Sequence, residues 1–183
     1  LAAHGAKVLH LRAVEFARKF NVPVHVRSSF SNKEGTWIVD EKTMKDKALE
    51  APVVAGVAHD RSQGKVTITR VPNVPGMASK IFAIVAGIDG NIDMIVQNTA
   101  VAAPDVSNLS FTLPKAEVAA VVEALKSHRG ELGFGEIRVA EDIGILSVVG
   151  AGMRSHSGIS AKLFATLGDL GINADMIATS EIR

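Results

Sequence analysis

The 183-residue chain contains no cysteine, and aromatic residues make up only 4% of it. Without cysteine the protein has no disulfide, no thiolate metal ligand and no cysteine nucleophile, which fits a cytoplasmic location. No apolar run approaches the roughly 20 residues of a membrane-spanning helix, and no charged-then-apolar signal segment opens the chain. Together these absences favour a globular protein without a membrane partner.

Neither sign of charge is in excess, because 20 Lys and Arg residues stand against 19 Asp and Glu residues, giving a formal net charge of +1. Such a balance gives no basic surface for nucleic acid or for an anionic membrane. The six histidines are scattered, without an HxxxH pair or a carboxylate cluster, so no metal site is predicted. The sequence begins with Leu and ends just after a predicted strand, and we expect it to be part of a longer protein.

One stretch of 23 residues occurs twice without a gap. Residues 76–98 read GMASKIFAIVAGIDGNIDMIVQN, and residues 158–180 read GISAKLFATLGDLGINADMIATS. At a constant offset of 82, eight of the 23 positions are identical. A repeat this long indicates two related small domains, since solenoid repeats have periods of about 20–50 residues.

The hydrophobic spacing predicts a βαββαβ order for the first copy. Its predicted elements are a strand at 66–71, a helix at 77–86, strands at 92–96 and 108–113, a helix at 115–128 that Pro114 precedes, and a strand at 135–140. This is the order of the α+β ferredoxin-like fold, in which both helices cover one face of an antiparallel sheet. The second copy has a predicted strand at 145–149, a helix at 159–170 and a strand at 173–179, and is then truncated.

The residues ahead of the repeat have a different pattern. A helix is predicted at 6–20, and short strands at 22–26 and 36–39, as at the end of an α/β domain. We therefore divide the chain into an α/β remnant at 1–40, a charged linker at 41–52, a first repeat domain at 53–141 and an incomplete second one at 142–183. The strand predicted at 53–59 is able to pair with the second domain instead of the first.

Each copy places a glycine, Gly76 or Gly158, between a polar loop and a helix. The free N–H groups of a helix N-terminus can bind a carboxylate. Asn91 and Asp93 open the next predicted strand of the first copy, and the second copy repeats the pair at 173 and 175. A carboxylate opposite an N–H cluster suits a zwitterion such as a free amino acid. Glycine, asparagine and aspartate are also ordinary turn formers, so both interpretations stay open at this point.

The same βαββαβ order occurs in RNA-recognition domains, whose third strand carries base-stacking aromatic residues. Here the third strand reads NLSFTL and has a single aromatic residue. Nucleic acid is therefore not an expected partner.

The repeated motifs resemble a known family. VPNVPGMASKIF with NIDMIVQN, and GAGMRSHSGISAKLF with NADMIATSEIR, are similar to the tandem ACT domains of aspartate kinase, particularly the lysine- and threonine-inhibited type of actinobacteria. Residues 5–30, GAKVLHLRAVEFARKFNVPVHVRSSF, resemble the end of the amino-acid-kinase domain of that enzyme. The resemblance implies an α+β fold of tandem ferredoxin-like ACT domains, the second truncated, behind a remnant of the α/β kinase domain.

The resemblance implies a regulatory region that binds threonine, lysine or both. Carried over by position, it implies a threonine pocket of Asn73, Val74, Pro75, Gly76, Met77, Ala78, Gln97, Asn173 and Ala174. It likewise implies a lysine pocket of Asn91, Ile92, Asp93, His156, Gly158, Ser180 and Glu181. In the second pocket, Asp93 and Glu181 would meet ammonium groups.

The whole enzyme of that family converts ATP and aspartate into 4-phosphoaspartate, the first step of lysine, threonine and methionine biosynthesis. Lys7 and Val8 match its nucleotide-contacting pair, but this chain is expected to contain no catalytic residue, to bind no cofactor and to be inactive alone. ATP with magnesium would serve the whole enzyme. The implied partners are a catalytic domain or subunit and a second copy, joined through the ACT domains as a homodimer in the cytoplasm.

One position departs from the family pattern, because Asn73 stands where the first loop often has aspartate. The loss of a charge facing the effector amine leaves open an alternative, an ACT-type oligomerisation module with no effector. A different enzyme carrying ACT domains is a further alternative, against which the segments GAKVLH and HVRSSF argue.

Overall fold

The structure, a computed structural model, describes residues 9–39, 54, 56–99, 101–150 and 158–179. In chain order the elements are α1 (Leu11–Lys19), β1 (Val24–Val26), β2 (Thr36–Ile38), β3 (Gly56–Asp60), β4 (Gln63–Pro72), α2 (Met77–Ala86), β5 (Ile95–Thr99), β6 (Val106–Pro114), α3 (Lys115–Ser127), α4 (Arg129–Leu132), β7 (Ile137–Ala140), β8 (Ile145–Val149) and α5 (Ile159–Asp169). They fall into two compact units, one built around residues 60–145 with 174–179, the other from the described parts of 1–59 and 146–173. The linker predicted at 41–52 lies outside the described residues.

The unit around residues 60–145, hereafter the first ACT unit, has the predicted βαββαβ order, with the short α4 added before its last strand. Its four strands form an antiparallel sheet in the order β5-β6-β4-β7. This is the ferredoxin-like arrangement, in which the first and third strands are central and the second and fourth lie at the edges. The fold class predicted from the sequence is therefore confirmed.

The core of the first ACT unit lies between one face of this sheet and the helices. Alternate residues of the two central strands are buried because successive side chains of a strand point to opposite faces. On the strand side they are Val66 and Ile68 of β4 and Leu109, Phe111 and Leu113 of β6. The helices contribute Ile81 and Val85 from α2 and Val118, Val121 and Leu125 from α3, at the predicted helical spacing.

Gly90 lies at a tight point of this core, and its substitution gives a first prediction. A Cβ atom on Gly90 would lie 2.6 Å from Val85 Cγ1 and 2.9 Å from the Val85 carbonyl oxygen. We expect Gly90→Ala to lower the free energy of unfolding by about 1–3 kcal/mol, as overpacked core positions do. Gly130 in α4 has nothing within 4 Å of the same added atom, so Gly130→Ala is the control and should be neutral or slightly stabilising. Urea unfolding followed by far-UV circular dichroism measures both; equal values for the two variants would refute the prediction.

The internal repeat is also visible in the backbone at both ends of α2 and α5. Gly76 and Gly158 precede the two helices in the left-handed conformation, with φ angles of 86° and 96°. At the other end, Asp89 and Gly171 share positive φ angles of 58° and 67°, again at the offset of 82. The shared sequence therefore gives the same helix start and the same helix end in both copies.

In the second unit β3 pairs with β8, and β1 pairs antiparallel with β2. The strand predicted at 173–179 is wrong, because the structure has no strand there. The corresponding strand of the first copy, β5, pairs with β6 along its length. Among the described residues no strand follows α5, so residues 173–179 lack the neighbouring strand with which β5 pairs in the first copy.

Candidate functional site

A cavity of about 80 Å³ opens in the first ACT unit where β4 ends and α2 begins. Its lining residues come from these two elements, the loop between them and the strands β5 and β6: they are Val71, Pro72, Val74, Gly76, Met77, Ala78, Gln97, Ser107 and Leu109. Five of the residues proposed for the threonine pocket therefore lie together around one cavity: Val74, Gly76, Met77, Ala78 and Gln97.

The helix start is open on the side of this cavity. Gly76 takes a left-handed φ of 86°, which glycine adopts without the steric cost of a side chain, and no side chain caps α2. The Met77 amide donates to Val74 O at 3.3 Å, and the Lys80 amide donates to Gly76 O at 3.0 Å. The amides between them, of Ala78 and Ser79, lie in the first helical turn and have no intrahelical acceptor. With the positive end of the helix dipole they form a site for a carboxylate.

A β-bulge in β4 shapes the floor of the cavity. The pairing of β4 with β6 shifts register between Ile68 and Val71, and Arg70 within the shift has a φ of 52°. Without the extra residue, Val71 would point away from the core, since side chains alternate. With it, Val71 is buried and lines the cavity opposite Ser107.

The polar wall of the cavity consists of Gln97 from β5 and Ser107 from β6. Gln97 Nε2 donates to Ser107 Oγ at 3.0 Å, and Ser107 is only 2% exposed. Sequence reasoning missed Ser107 because the predicted strand began one residue later. The alternation of Leu109 and Phe111 toward the core, extended back by two residues, would have placed Ser107 on the inner face.

Asn73 and Pro75 do not line the cavity. Asn73 Nδ2 donates to the carbonyl oxygen of Pro104 at 2.9 Å, and its backbone amide donates to Asp105 O at 2.8 Å. Asn73 therefore joins the loop before α2 to the turn between β5 and β6. A carboxylate at this position could not donate the first of these bonds, so asparagine has a structural role here that aspartate lacks.

The described residues proposed for the lysine pocket are divided between the two units. The backbone amide of Asn91 donates to Glu117 Oε2 at 2.8 Å. The backbone amide of Asp93 donates to Thr112 O at 3.0 Å, and Ile92 packs against the core. Gly158 immediately precedes α5 in the second unit. Three other residues proposed for this pocket lie outside the described residues: His156, Ser180 and Glu181. The proposed nucleotide-contacting pair, Lys7 and Val8, also lies outside them.

The segment after α5 differs from the expectation of a carboxylate open to a ligand amine. Asn173 and Ala174 are exposed, and neither lines the cavity. Asp175 is paired with Lys65 Nζ at 2.8 Å. The hydrogen bond and positive charge of Lys65 lower the pKa of the Asp175 carboxyl. Because the carboxylate is 62% exposed, water screens the pair and weakens it. The ion pair nevertheless places Asp175 beside β4, where Lys65 lies.

Within the described ranges, no three His, Asp or Glu side chains cluster as metal ligands would. The helices of that part of the chain are too short or too polar to cross a membrane.

Comparison with known proteins agrees with this architecture. A family model for the ACT domain matches residues 146–183. The aspartokinase of Mycobacterium tuberculosis is 48% identical over all 183 residues, which span 43% of that protein's length. The regulatory subunit of aspartate kinase from Thermus thermophilus, in a ligand-free crystal form, is 34% identical over 72% of this chain and 85% of its own, with a TM-score of 0.66. A crystal structure of aspartokinase alpha and beta subunits is 38% identical, covers 70% of this chain and 83% of its own, and has a TM-score of 0.64.

Proposed function

The chain belongs to the aspartokinase family, as part of its ACT regulatory region, and on that basis we propose that the cavity at the start of α2 binds threonine as a feedback effector. The observation that carries the proposal is the uncapped N-terminus of α2 beside a small, partly apolar cavity. An α-carboxylate would accept hydrogen bonds from the amides of the first helical turn, and the side chain would enter the cavity.

The size of the cavity favours threonine over lysine at this position. At about 80 Å³ the cavity is small. A threonine side chain has three heavy atoms beyond Cα, whereas the lysine side chain has five and ends in a charge. Gln97 and Ser107 supply neutral hydrogen-bonding groups, and the rest of the side-chain lining is apolar. Desolvating an ammonium here without a partner charge would oppose binding.

Lysine is assigned to the second set of residues, Asn91, Ile92, Asp93, His156, Gly158, Ser180 and Glu181. The left-handed glycine before α5 supports this assignment, because Gly76 precedes α2 in the same conformation.

The chain spans 43% of the length of the Mycobacterium tuberculosis aspartokinase that it matches. For the whole protein, we propose phosphoryl transfer from ATP, with magnesium, to the side-chain carboxylate of aspartate. Lys7 and Val8 would contact the nucleotide, and a catalytic domain or subunit would supply the reacting groups. We further propose a cytoplasmic homodimer joined through the ACT domains. A coupling free energy of about 1–3 kcal/mol between effector and catalytic sites gives 5–150-fold regulation.

A thermal-unfolding titration of the 183-residue chain tests the effector proposal. A ligand that binds only the folded state stabilises it by RT ln(1 + [L]/Kd), about 2.7 kcal/mol at 100 times Kd. For a chain of this size we expect threonine at that excess to raise Tm by about 5–10 °C. Lysine should act independently, and alanine, the control, should have little effect. A folded chain that shifts with neither threonine nor lysine would support the oligomerisation module instead.

A further inference from the structure

Among the described residues that line the cavity, Ser107 is the only one with a hydroxyl group. It is 2% exposed, it lines the cavity, and its neighbours on the inner face of the sheet are Val71 and Leu109, both buried and apolar. Burying a hydroxyl among apolar side chains costs free energy unless its hydrogen-bonding capacity is used. A buried serine at this position therefore needs a hydrogen-bond partner, which a valine or alanine would not.

The hydrogen bond from Gln97 fixes what the Ser107 hydroxyl can do next. Because Gln97 Nε2 donates to Ser107 Oγ at 3.0 Å, the serine oxygen already acts as an acceptor. Its own O–H remains a donor, and a hydroxyl oxygen keeps one further lone pair. A ligand hydroxyl entering the cavity could therefore accept from Ser107, whereas a methyl group at the same place would leave the O–H unsatisfied.

We propose that Ser107, oriented by Gln97, is the specificity-determining residue that makes this cavity prefer a hydroxyl-bearing side chain over an apolar one of equal size. The inference rests on the proposed binding of an amino-acid effector at this cavity. Threonine and valine are the matched pair of ligands, since they differ only by a hydroxyl in place of a methyl group. A site built to hydrogen-bond a ligand hydroxyl rejects the analogue that lacks it, because the buried polar group loses its partner.

Isothermal titration of the 183-residue chain with threonine and with valine tests the inference. For the unsubstituted chain we expect threonine to bind at least about tenfold more tightly than valine, the factor that corresponds to one hydrogen bond of this kind. In Ser107→Ala, threonine affinity should fall about tenfold while valine affinity stays the same or rises, so that the ratio approaches one. Ser107→Thr keeps the hydroxyl and should keep a preference for threonine over valine.

The outcomes separate this inference from the function on which it rests. If threonine binds the unsubstituted chain and Ser107→Ala keeps the original ratio, the role of Ser107 is wrong and the effector site stands. If the unsubstituted chain, shown to be folded, binds neither amino acid, both proposals fall. Should Ser107→Ala not fold, judged by far-UV circular dichroism, Ser107→Cys preserves the volume with a weaker donor. That variant should lower the threonine-to-valine ratio, and an unchanged ratio would overturn the inference.

Discussion

Replacing Phe111 with alanine is expected to lower the free energy of unfolding of the first ACT unit by about 3–5 kcal/mol. The Phe111 side chain is completely buried in the middle of β6, and its ring meets Phe82 edge to face with 5.8 Å between centroids. Alanine would lose the transfer free energy of the ring and leave a cavity that a close-packed core fills only in part. Since a domain of this size is stable by only about 5–15 kcal/mol, the loss would be a large fraction of its stability.

Far-UV circular dichroism in urea and amide hydrogen exchange along β4 and β6 would measure this loss. The single tryptophan, Trp37, lies on β2 in the other unit and stacks on His25, so its fluorescence follows that hairpin and not the sheet around Phe111. Phe30 is 98% exposed, and Phe30→Ala is the matched control, with an expected change within about 0.5 kcal/mol. A loss below about 1 kcal/mol in Phe111→Ala would mean that this ring is not central to the core.

The helix at 77–86 and the strand at 145–149 could be predicted to the residue because each has a local signal that tertiary contacts do not override. Gly76 marks the start of α2, and the spacing of Ile81 and Val85 defines its buried side. β8 reads ILSVV, in which four of the five residues are apolar. The order of elements followed from such signals, and the order alone was sufficient to predict the ferredoxin-like sheet.

Elements whose ends depend on partners were predicted less well. β5 begins at Ile95, three residues later than expected. The residues before it do not follow the regular hydrogen-bond pattern of a strand pair, because Met94 N donates to the side-chain oxygen of Thr112, at 3.2 Å. The bulge at Arg70 has no sequence signal, since arginine has no preference for a positive φ. That bulge directs Val71 into the cavity.

The candidate site was predictable in its loop and less so in its walls. The repeat identified Val74 to Ala78 because a glycine before a helix recurs at a fixed offset, and Gln97 followed from the family resemblance. Ser107 carried no motif and needed the register of β6 against β4 to be known. Asn73 was expected to face the ligand, yet its side chain is bonded to the Pro104 carbonyl, a contact between loops that no local pattern contains.

The second large effect is expected from Ala78→Leu, which should weaken threonine binding at least about 100-fold, a loss of about 2.7 kcal/mol in binding free energy. Ala78 lies in the first turn of α2 and lines the cavity. The three additional carbon atoms of leucine would extend into this small cavity, whose volume is about 80 Å³. Leucine is nearly as good a helix former as alanine, so the helix itself should persist.

Isothermal titration with threonine and with lysine distinguishes a blocked cavity from a damaged fold. Ala83→Leu introduces the same side chain into the same helix at an exposed position outside the cavity, and it should leave both affinities unchanged. Ala78→Leu should lose threonine and keep lysine, because lysine is assigned to a different set of residues, none of which lines this cavity. Loss of both ligands from a folded Ala78→Leu chain would mean that the two effectors share one site. Retention of threonine would mean that the cavity at the start of α2 is not where it binds.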